Sequence, residues 1–228
     1  MRDLRRGIRA FSGGISLLAL GVVFAGAAVA QGAEQATVTT EYTNDKLVPK
    51  HWVLKLIADG SGQFASEEGN PPPAAGQVLV GDLHKTVQLS PVFTAHVFAV
   101  ARGRKLFAFQ CESHLKVAFQ GTKRLSYTGP EGTGSCEYNY SKDKEIQALG
   151  DSLQAVAATI EFGARIEKLL QHDRLGLDKE TEDLASAAHS GSAMEMGAIR
   201  ETLEHVAGDE QVLERARKRA RQLLVQAP

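Results

Sequence analysis

Apolar and polar residues alternate between residues 51 and 66, which is the pattern of half-buried β-strands. The stretch from His51 to Ala58 predicts a strand with three large apolar residues on one face, namely Trp52, Leu54 and Leu56. The turn sequence at 59–62 (DGSG) follows, and residues 63–66 predict the returning strand of a hairpin. The preceding residues 31–49 are polar and Thr-rich without a helical period, which predicts a polar N-terminal arm or an edge strand.

The stretch after this hairpin predicts a loop and then a further strand. Residues 67–76 contain Pro71-Pro72-Pro73, and consecutive prolines cannot enter a hydrogen-bonded ladder, so this segment predicts a surface loop. Residues 84–89 alternate as a strand does.

A short helix is predicted next. Ser90 is a favoured N-cap residue, Pro91 suits the first helical position and Gly103 suits the position after the last turn. A strand over residues 92–101 is the alternative interpretation, because this segment is rich in β-branched and aromatic residues.

Strand-like sequence continues over residues 105–140. The stretches with this character are KLFAFQ at 105–110, LKVAFQ at 115–120, KRLSY at 123–127 and CEYNY at 136–140. The glycine-rich segment 129–134 lacks the lysine and the following helix of a phosphate-binding loop, so it predicts a hairpin loop. Residues 50–141 therefore predict an antiparallel sheet with one short helix.

The periodicity changes to that of helices after residue 141. Between Lys144 and Gln171, apolar residues recur at the three- and four-residue spacing of one helix face, as in Ile146, Leu149, Leu153, Val156 and Ile160. Further helices are predicted at 178–191, 193–207 and 209–225. The fold class predicted is α+β, in which the sheet is followed by a helical hairpin or a small four-helix region at 142–228.

The first 30 residues have the three parts of a cleavable signal peptide. Four arginines precede an apolar run over residues 15–30, which ends in Ala28-Val29-Ala30 before the polar Gln31. An uncleaved membrane anchor is the alternative, but the run is shorter than the roughly 20 residues that a spanning helix needs. We expect cleavage between Ala30 and Gln31, export to a periplasm or outside the cell, and no transmembrane segment in the mature chain.

Export bears on the two cysteines, Cys111 and Cys136, because an even cysteine count in an oxidising compartment favours a disulfide. Two free thiols, or a metal pair supported by His114, are the alternatives. Bonded cysteines have Cα atoms within about 7 Å, whereas one continuous strand over residues 115–128 would separate them by roughly 30 Å. We therefore expect the chain to reverse near Gly121.

Charge excludes one class of partner. Without residues 1–30 the chain has 22 basic and 26 acidic residues, and neither half of it is basic. A surface that follows nucleic-acid phosphates requires an excess of positive charge, so no nucleic-acid partner is expected.

Candidate chemistry is sparse in this sequence. The residues that could form an acid/base group are His114, His172, Asp173 and Asp178. Motifs of zinc proteases, calcium loops, nucleotide-binding loops and serine-hydrolase elbows are absent after residue 30, and no metal or cofactor is predicted. Ordinary structural roles explain histidines near helix C-termini equally well.

Basic residues cluster near the C-terminus and could contact an anionic surface: Arg215, Arg217, Lys218, Arg219 and Arg221. A solvated outer helix face is the simpler interpretation. The sequence as a whole predicts a non-enzymatic binding module for an unknown protein or envelope component. A small secreted hydrolase that uses the histidine and aspartate group is the alternative.

Overall fold

The computed structural model describes residues 35–70 and 78–227, and it shows an α+β protein, as predicted. The strands are β1 (Thr37–Thr43), β2 (His51–Ile57), β3 (Ser61–Glu67), β4 (Leu83–Gln88), β5 (Thr122–Gly129) and β6 (Gly132–Tyr138). The helices are α1 (Pro91–Gly103), α2 (Lys144–His172), α3 (Leu177–Ser190), α4 (Arg200–Gly208) and α5 (Glu214–Val225). The predicted signal segment, its cleavage site at Ala30–Gln31 and residues 71–77 of the proline-rich loop lie outside the described residues.

The strands form one antiparallel sheet in the order β4-β3-β2-β1-β5-β6. The prediction for residues 31–49 was wrong in one respect, because residues 37–43 are neither an arm nor an edge strand. They form β1, which pairs with β2 on one side and β5 on the other. Alternate residues of β1 are buried, among them Val38 and Tyr42, so threonines at the intervening positions hid a central strand from sequence inspection.

One face of the sheet carries the core. In β2, burial alternates as predicted, with Trp52, Leu54 and Leu56 all buried. Helix α1 begins as predicted, since the Ser90 side chain accepts a hydrogen bond from the Phe93 amide and Pro91 is the first helical residue. Helices α1 and α2 contribute to the same core cluster, and the opposite face of the sheet stays partly exposed.

The disulfide between Cys111 and Cys136 is confirmed, with Cα atoms 5.7 Å apart. The predicted strands at 105–110 and 115–120 were wrong. Lys105–Phe107 form a 3-10 turn with φ angles of 51°, 56° and 66°, in the left-handed region where a strand cannot continue. Residues 113–121 belong to no strand. The Ser113 amide bonds to the Tyr140 carbonyl, and the backbone hydrogen bonds of residues 114–120 go to side chains or stay within the segment.

The single long strand over 115–128 is absent, as the disulfide argument required. Glu112 and Gln120 stand at the two ends of a loop, and both hydrogen-bond to Asn139, at 2.7 Å in each case. The segment between them is therefore a loop that Asn139, the residue after β6, holds at both ends. Gly121, at φ 103°, then leads into β5.

Helix α2 connects the sheet to the remaining helices. Its 29 residues extend about 43 Å. The first part packs against the sheet through Ile146, Leu149 and Leu153, whereas Ile166 and Leu169 belong to a second cluster with α3, α4 and α5. The described residues form one compact unit.

Two helix boundaries in this second region differ from the predictions. The segment predicted as a helix at 193–207 begins with a 3-10 turn at Met196–Ile199, and α4 starts only at Arg200. The last helix starts at Glu214 instead of Asp209, whose carboxylate accepts from the Gln211 amide in the turn before it. Contacts between residues distant in sequence keep the start of the segment at 193–207 out of α-helical geometry, as described below for Glu195.

Candidate binding groove

Strand β4 is an edge of the sheet, and its outer side faces a groove. The amide of Leu89 bonds to the Gly60 carbonyl on the β3 side at 2.9 Å. Because backbone groups alternate between the two sides of an antiparallel strand, those of His84, Thr86 and Gln88 point away from β3. Among the described residues, no hydrogen bond reaches these outward groups.

The other walls of the groove come from α2, the 3-10 turn at Met196–Ile199 and α4. The cavity measures about 760 Å³, and its lining includes Lys85–Pro91 along and after β4, Ile160 and Glu167 on α2, and residues 197–202. Gly163 lets α2 approach the 3-10 turn closely, since a Cβ at this position would lie 2.4 Å from Cγ2 of Ile199. A larger residue at 163 would therefore displace one wall.

Glu167 connects the walls of the groove. Its carboxylate pairs with the ammonium of Lys85 on β4 and accepts a 3.0 Å hydrogen bond from the Thr202 hydroxyl on α4. Both charged side chains are more than a third exposed, so the ion pair itself contributes little to stability. Its role is to hold three elements at a fixed separation.

Glu195 closes one end of the groove. It has φ 58° and ψ 53°, the left-handed region that non-glycine residues seldom adopt. Its carboxylate accepts hydrogen bonds from the amide of Ser90 at 2.6 Å and from the hydroxyl of Ser90 at 2.9 Å. Ser90 is also the N-cap of α1, so one residue joins the end of β4, the start of α1 and the turn before α4.

In the part of the chain that the structure describes, the groove combines unpaired backbone groups with apolar side chains. The groove offers unpaired backbone donors and acceptors along one wall and apolar side chains such as Val87 and Ile160 beneath them. Sequence inspection missed Glu167 and Glu195, because their partners are 82 and 105 residues away. The sequence signal for the groove is limited to the predicted strand at 84–89 and its polar composition.

The four candidate acid/base residues have separate surroundings. His114 lies in the exposed loop before β5, near the Gln110 side chain at 3.4 Å. His172 and Asp173 end α2, where the Asp173 carboxylate accepts from the amides of Leu175 and Gly176. Asp178 begins α3 and pairs with arginines of α5. Within residues 35–70 and 78–227, no hydrogen bond or ion pair joins any of the four to another, and the hydrolase interpretation stays a prediction.

Most basic residues of the α5 cluster form ion pairs with acidic residues of the same chain. Arg215 and Arg219 both pair with Asp178, at 2.6 and 2.7 Å, and Arg219 is also 3.8 Å from Glu182. Arg217 and Arg221 both pair with Glu214. Lys218 alone of the five has no ion-pair partner among the described residues. These contacts favour the interpretation of α5 as a structural helix with a solvated outer face.

A buried carboxyl group lies elsewhere on α2. Glu161 is 7% exposed and accepts a 2.6 Å hydrogen bond from the hydroxyl of Ser66 on β3. It lines a cavity of about 210 Å³ together with Trp52 and Phe162. Burial raises the pKa of Glu161 above its ordinary value of 4.5, against the opposing effects of the Ser66 hydrogen bond and the nearby Arg165.

The variant Glu161→Gln is expected to be more stable than the parent protein near pH 7, by on the order of 1 kcal/mol. The raised pKa means that the folded state binds more protons than the unfolded chain above pH 4.5. The contribution of protonated Glu161 is therefore complete below pH 4.5 and is lost as pH rises through the folded-state pKa. Glutamine keeps an acceptor for Ser66 and has no charge to bury.

Urea unfolding of both proteins between pH 4 and pH 8 measures this difference. The two stabilities should converge at the acid end and separate toward neutral pH. Glu201→Gln, which removes one exposed carboxylate from α4, is the control. An advantage of Glu161→Gln that stays constant over this pH range would contradict the prediction.

Among the described residues, no group of three or more His, Cys, Asp or Glu side chains is arranged to hold a metal ion. In the same part of the chain, no helix combines the length and the hydropathy needed to cross a bilayer. No protein-family model matches the sequence, and comparison with curated proteins finds no significant relative. Functional inference therefore rests on the geometry of the chain itself.

Proposed function

We propose that the protein is a non-enzymatic binding module that receives an extended polypeptide segment in the groove beside β4. The observation that carries the proposal is the free outer edge of β4, whose backbone groups lack partners among the described residues and line a cavity of about 760 Å³. An extended segment placed there would add a strand to the sheet, a common mode of peptide recognition.

The dimensions of the groove support a peptide more than a compact ligand. β4 has six residues, which corresponds to roughly 20 Å of extended chain. Backbone hydrogen bonds would supply affinity along this length, and the apolar positions below the edge would select alternate side chains. The ion pair between Lys85 and Glu167 provides polar contacts at the side of the groove.

The compartment belongs to the same proposal. We infer export from the signal-like residues 1–30, with the working chain beginning near Gln31. The disulfide is compatible with an oxidising compartment. The partner would then be a protein or another component of the cell envelope or the surrounding medium.

Replacing Thr86 by proline is expected to weaken peptide binding about tenfold, because proline removes an outward amide that would bond to the added strand. The ladder with β3 should survive, since the Thr86 amide does not face it. The probes are peptides selected from a random 12-residue display library on the disulfide-bonded protein, and affinity is measured by calorimetry.

The matched control is Thr86→Val, which keeps the amide and the strand propensity. It should bind the selected peptides as the parent protein does. Failure of the library to yield any binder, or equal affinity for Thr86→Pro and Thr86→Val, would reject strand addition at this edge.

A further inference from the structure

Three apolar side chains project from the loop between Cys111 and β5, at the end of the sheet away from the groove. Leu115 is 49% exposed, Val117 is 40% exposed and Phe119 is 61% exposed. They occupy alternate positions of a segment that is exposed from His114 to Gln120. Single exposed apolar residues are ordinary, but three on one short segment indicate a contact surface.

Three lysines lie within this segment or beside Leu115. Lys116 lies within the segment, and Lys142 and Lys144 line a cavity of about 340 Å³ together with Leu115. All three lysines are exposed, and none has an ion-pair partner among the described residues. We call Leu115, Lys116, Val117, Phe119, Lys142 and Lys144 the apolar-lysine patch.

The acidic residues close in sequence to Lys142 and Lys144 make contacts with residues other than these two lysines. Asp143 and Glu145 pair with Arg104, at 2.8 and 3.1 Å. Asp151 accepts two hydrogen bonds from Gln147 and lies 4.0 Å from the ammonium of Lys123. Asp151 lines the same cavity as Lys142 and Lys144, but the three lysines outnumber this carboxylate, so the patch keeps an excess of positive charge beside its apolar side chains.

The glutamate at the start of the loop is engaged in the same way. Glu112 accepts hydrogen bonds from the amides of Asn139 and His114, at 2.7 and 3.1 Å. Its carboxylate thus holds the base of the loop and is not directed at a lysine of the patch.

Backbone geometry argues against strand addition at this segment. The Val117 amide bonds back to the Leu115 carbonyl at 2.9 Å, which bends the segment. Asn139 bonds to the Ala118 carbonyl and the Gln120 amide, and the Tyr42 hydroxyl bonds to the Gln120 carbonyl. A partner at this segment would therefore contact side chains and not unpaired backbone groups. A second copy of the chain would bring the same unpaired lysines together, which is unfavourable.

We propose that the apolar-lysine patch binds the surface of an anionic lipid bilayer. The interface between headgroups and acyl chains would receive the apolar side chains of Leu115, Val117 and Phe119. The three lysines would face the anionic headgroups. This inference concerns the opposite edge of the sheet from the peptide groove, because β4 is one edge strand and the patch is tied to residues that follow β6. It stands independently of the proposed function.

Cosedimentation with vesicles tests the proposal. The disulfide-bonded protein should bind phosphatidylcholine vesicles that contain phosphatidylglycerol and should not bind pure phosphatidylcholine vesicles. The triple variant K116Q/K142Q/K144Q should lose about fivefold in affinity for each lysine, or about 100-fold in total. The variant L115S/V117S/F119S should lose binding at any salt concentration, whereas added salt should weaken the parent protein.

The matched control is R217Q/K218Q/R221Q, which removes three cations from α5 and should bind as the parent protein does. Circular dichroism melting curves and the thiol count verify that each variant is folded. The proposal is overturned if the protein fails to bind the anionic vesicles, if the α5 variant loses as much affinity as the lysine variant, or if neutral vesicles bind equally well. Capture of an acidic protein by the patch with no vesicle binding would assign the surface to a protein partner instead and would equally overturn it.

Discussion

Replacing Cys111 and Cys136 together by serine is expected to lower the free energy of unfolding by about 2–4 kcal/mol. The disulfide closes a loop of 25 residues, and its loss returns conformational freedom mainly to the unfolded chain. Folded domains of this size are stable by only about 5–15 kcal/mol, so the change is a large fraction of the total. Denaturant unfolding of the parent protein and the double variant measures the difference.

The location of the disulfide adds a second expectation to this experiment. Cys136 lies on β6, at the sheet edge opposite β4, and Cys111 anchors the loop that carries the apolar-lysine patch. The double variant should therefore lose affinity at the patch and keep affinity at the groove, under conditions in which it remains folded. Two free thiols per chain in denatured, unreduced parent protein would contradict the disulfide, and equal losses at both sites would contradict the separation of the two surfaces.

Local patterns were sufficient to predict β2 and the first part of α2, each of which buries one face. The alternation through Trp52, Leu54 and Leu56, and the three- and four-residue spacing that begins at Ile146 and Leu149, are set by the periods of strand and helix. The same reasoning located the turn between β2 and β3 and the N-cap at Ser90. In these places, local preference and tertiary burial favour the same structure.

Sequence patterns failed where long-range contacts outweigh local preference. KLFAFQ and LKVAFQ have strand composition, but the first begins with the left-handed turn at Lys105–Phe107, directly after α1. The second lies in a loop held by Asn139 and Tyr42. Its alternating apolar residues face solvent instead of a core. Such a mismatch between the sequence pattern and the observed burial is expected at functional surfaces.

The groove could not be predicted because its geometry depends on pairs that are remote in sequence. Ser90 and Glu195 are separated by 105 residues, and the two hydrogen bonds that the Glu195 carboxylate accepts from Ser90 help to hold Glu195 in its left-handed conformation. The predicted helix at 193–207 fails at the same residue. A strained residue held by a distant partner is typical of a segment that shapes a binding site.

Substituting Gly150 by alanine is expected to destabilise the protein by about 1–3 kcal/mol, despite the gain in helix propensity of about 1 kcal/mol. A Cβ at this position would lie 2.1 Å from the Tyr138 hydroxyl oxygen and 3.2 Å from Cδ of Lys123. Tyr138 cannot move aside easily, because it is buried and its hydroxyl donates to the Ile146 carbonyl at 3.0 Å.

Lys123 adds to the expected cost of this substitution. Its side chain is 2% exposed, and burial lowers the pKa of its ammonium group, while Asp151 at 4.0 Å opposes that effect. Moving α2 away from the sheet to relieve the contact would separate Lys123 from Asp151. The buried charge would then lose its only ion-pair partner among the described residues.

Thermal and urea unfolding of Gly150→Ala measures the cost, and Gly208→Ala provides the matched control. Gly208 is the last residue of α4, and a Cβ there would have no atom within 4 Å. That substitution should leave stability unchanged or raise it slightly through helix propensity alone. Equal effects of the two substitutions would show that the close approach of α2 to β6 at Gly150 does not limit packing. A cost confined to Gly150→Ala would establish that the position must be glycine for α2 to pack on the sheet.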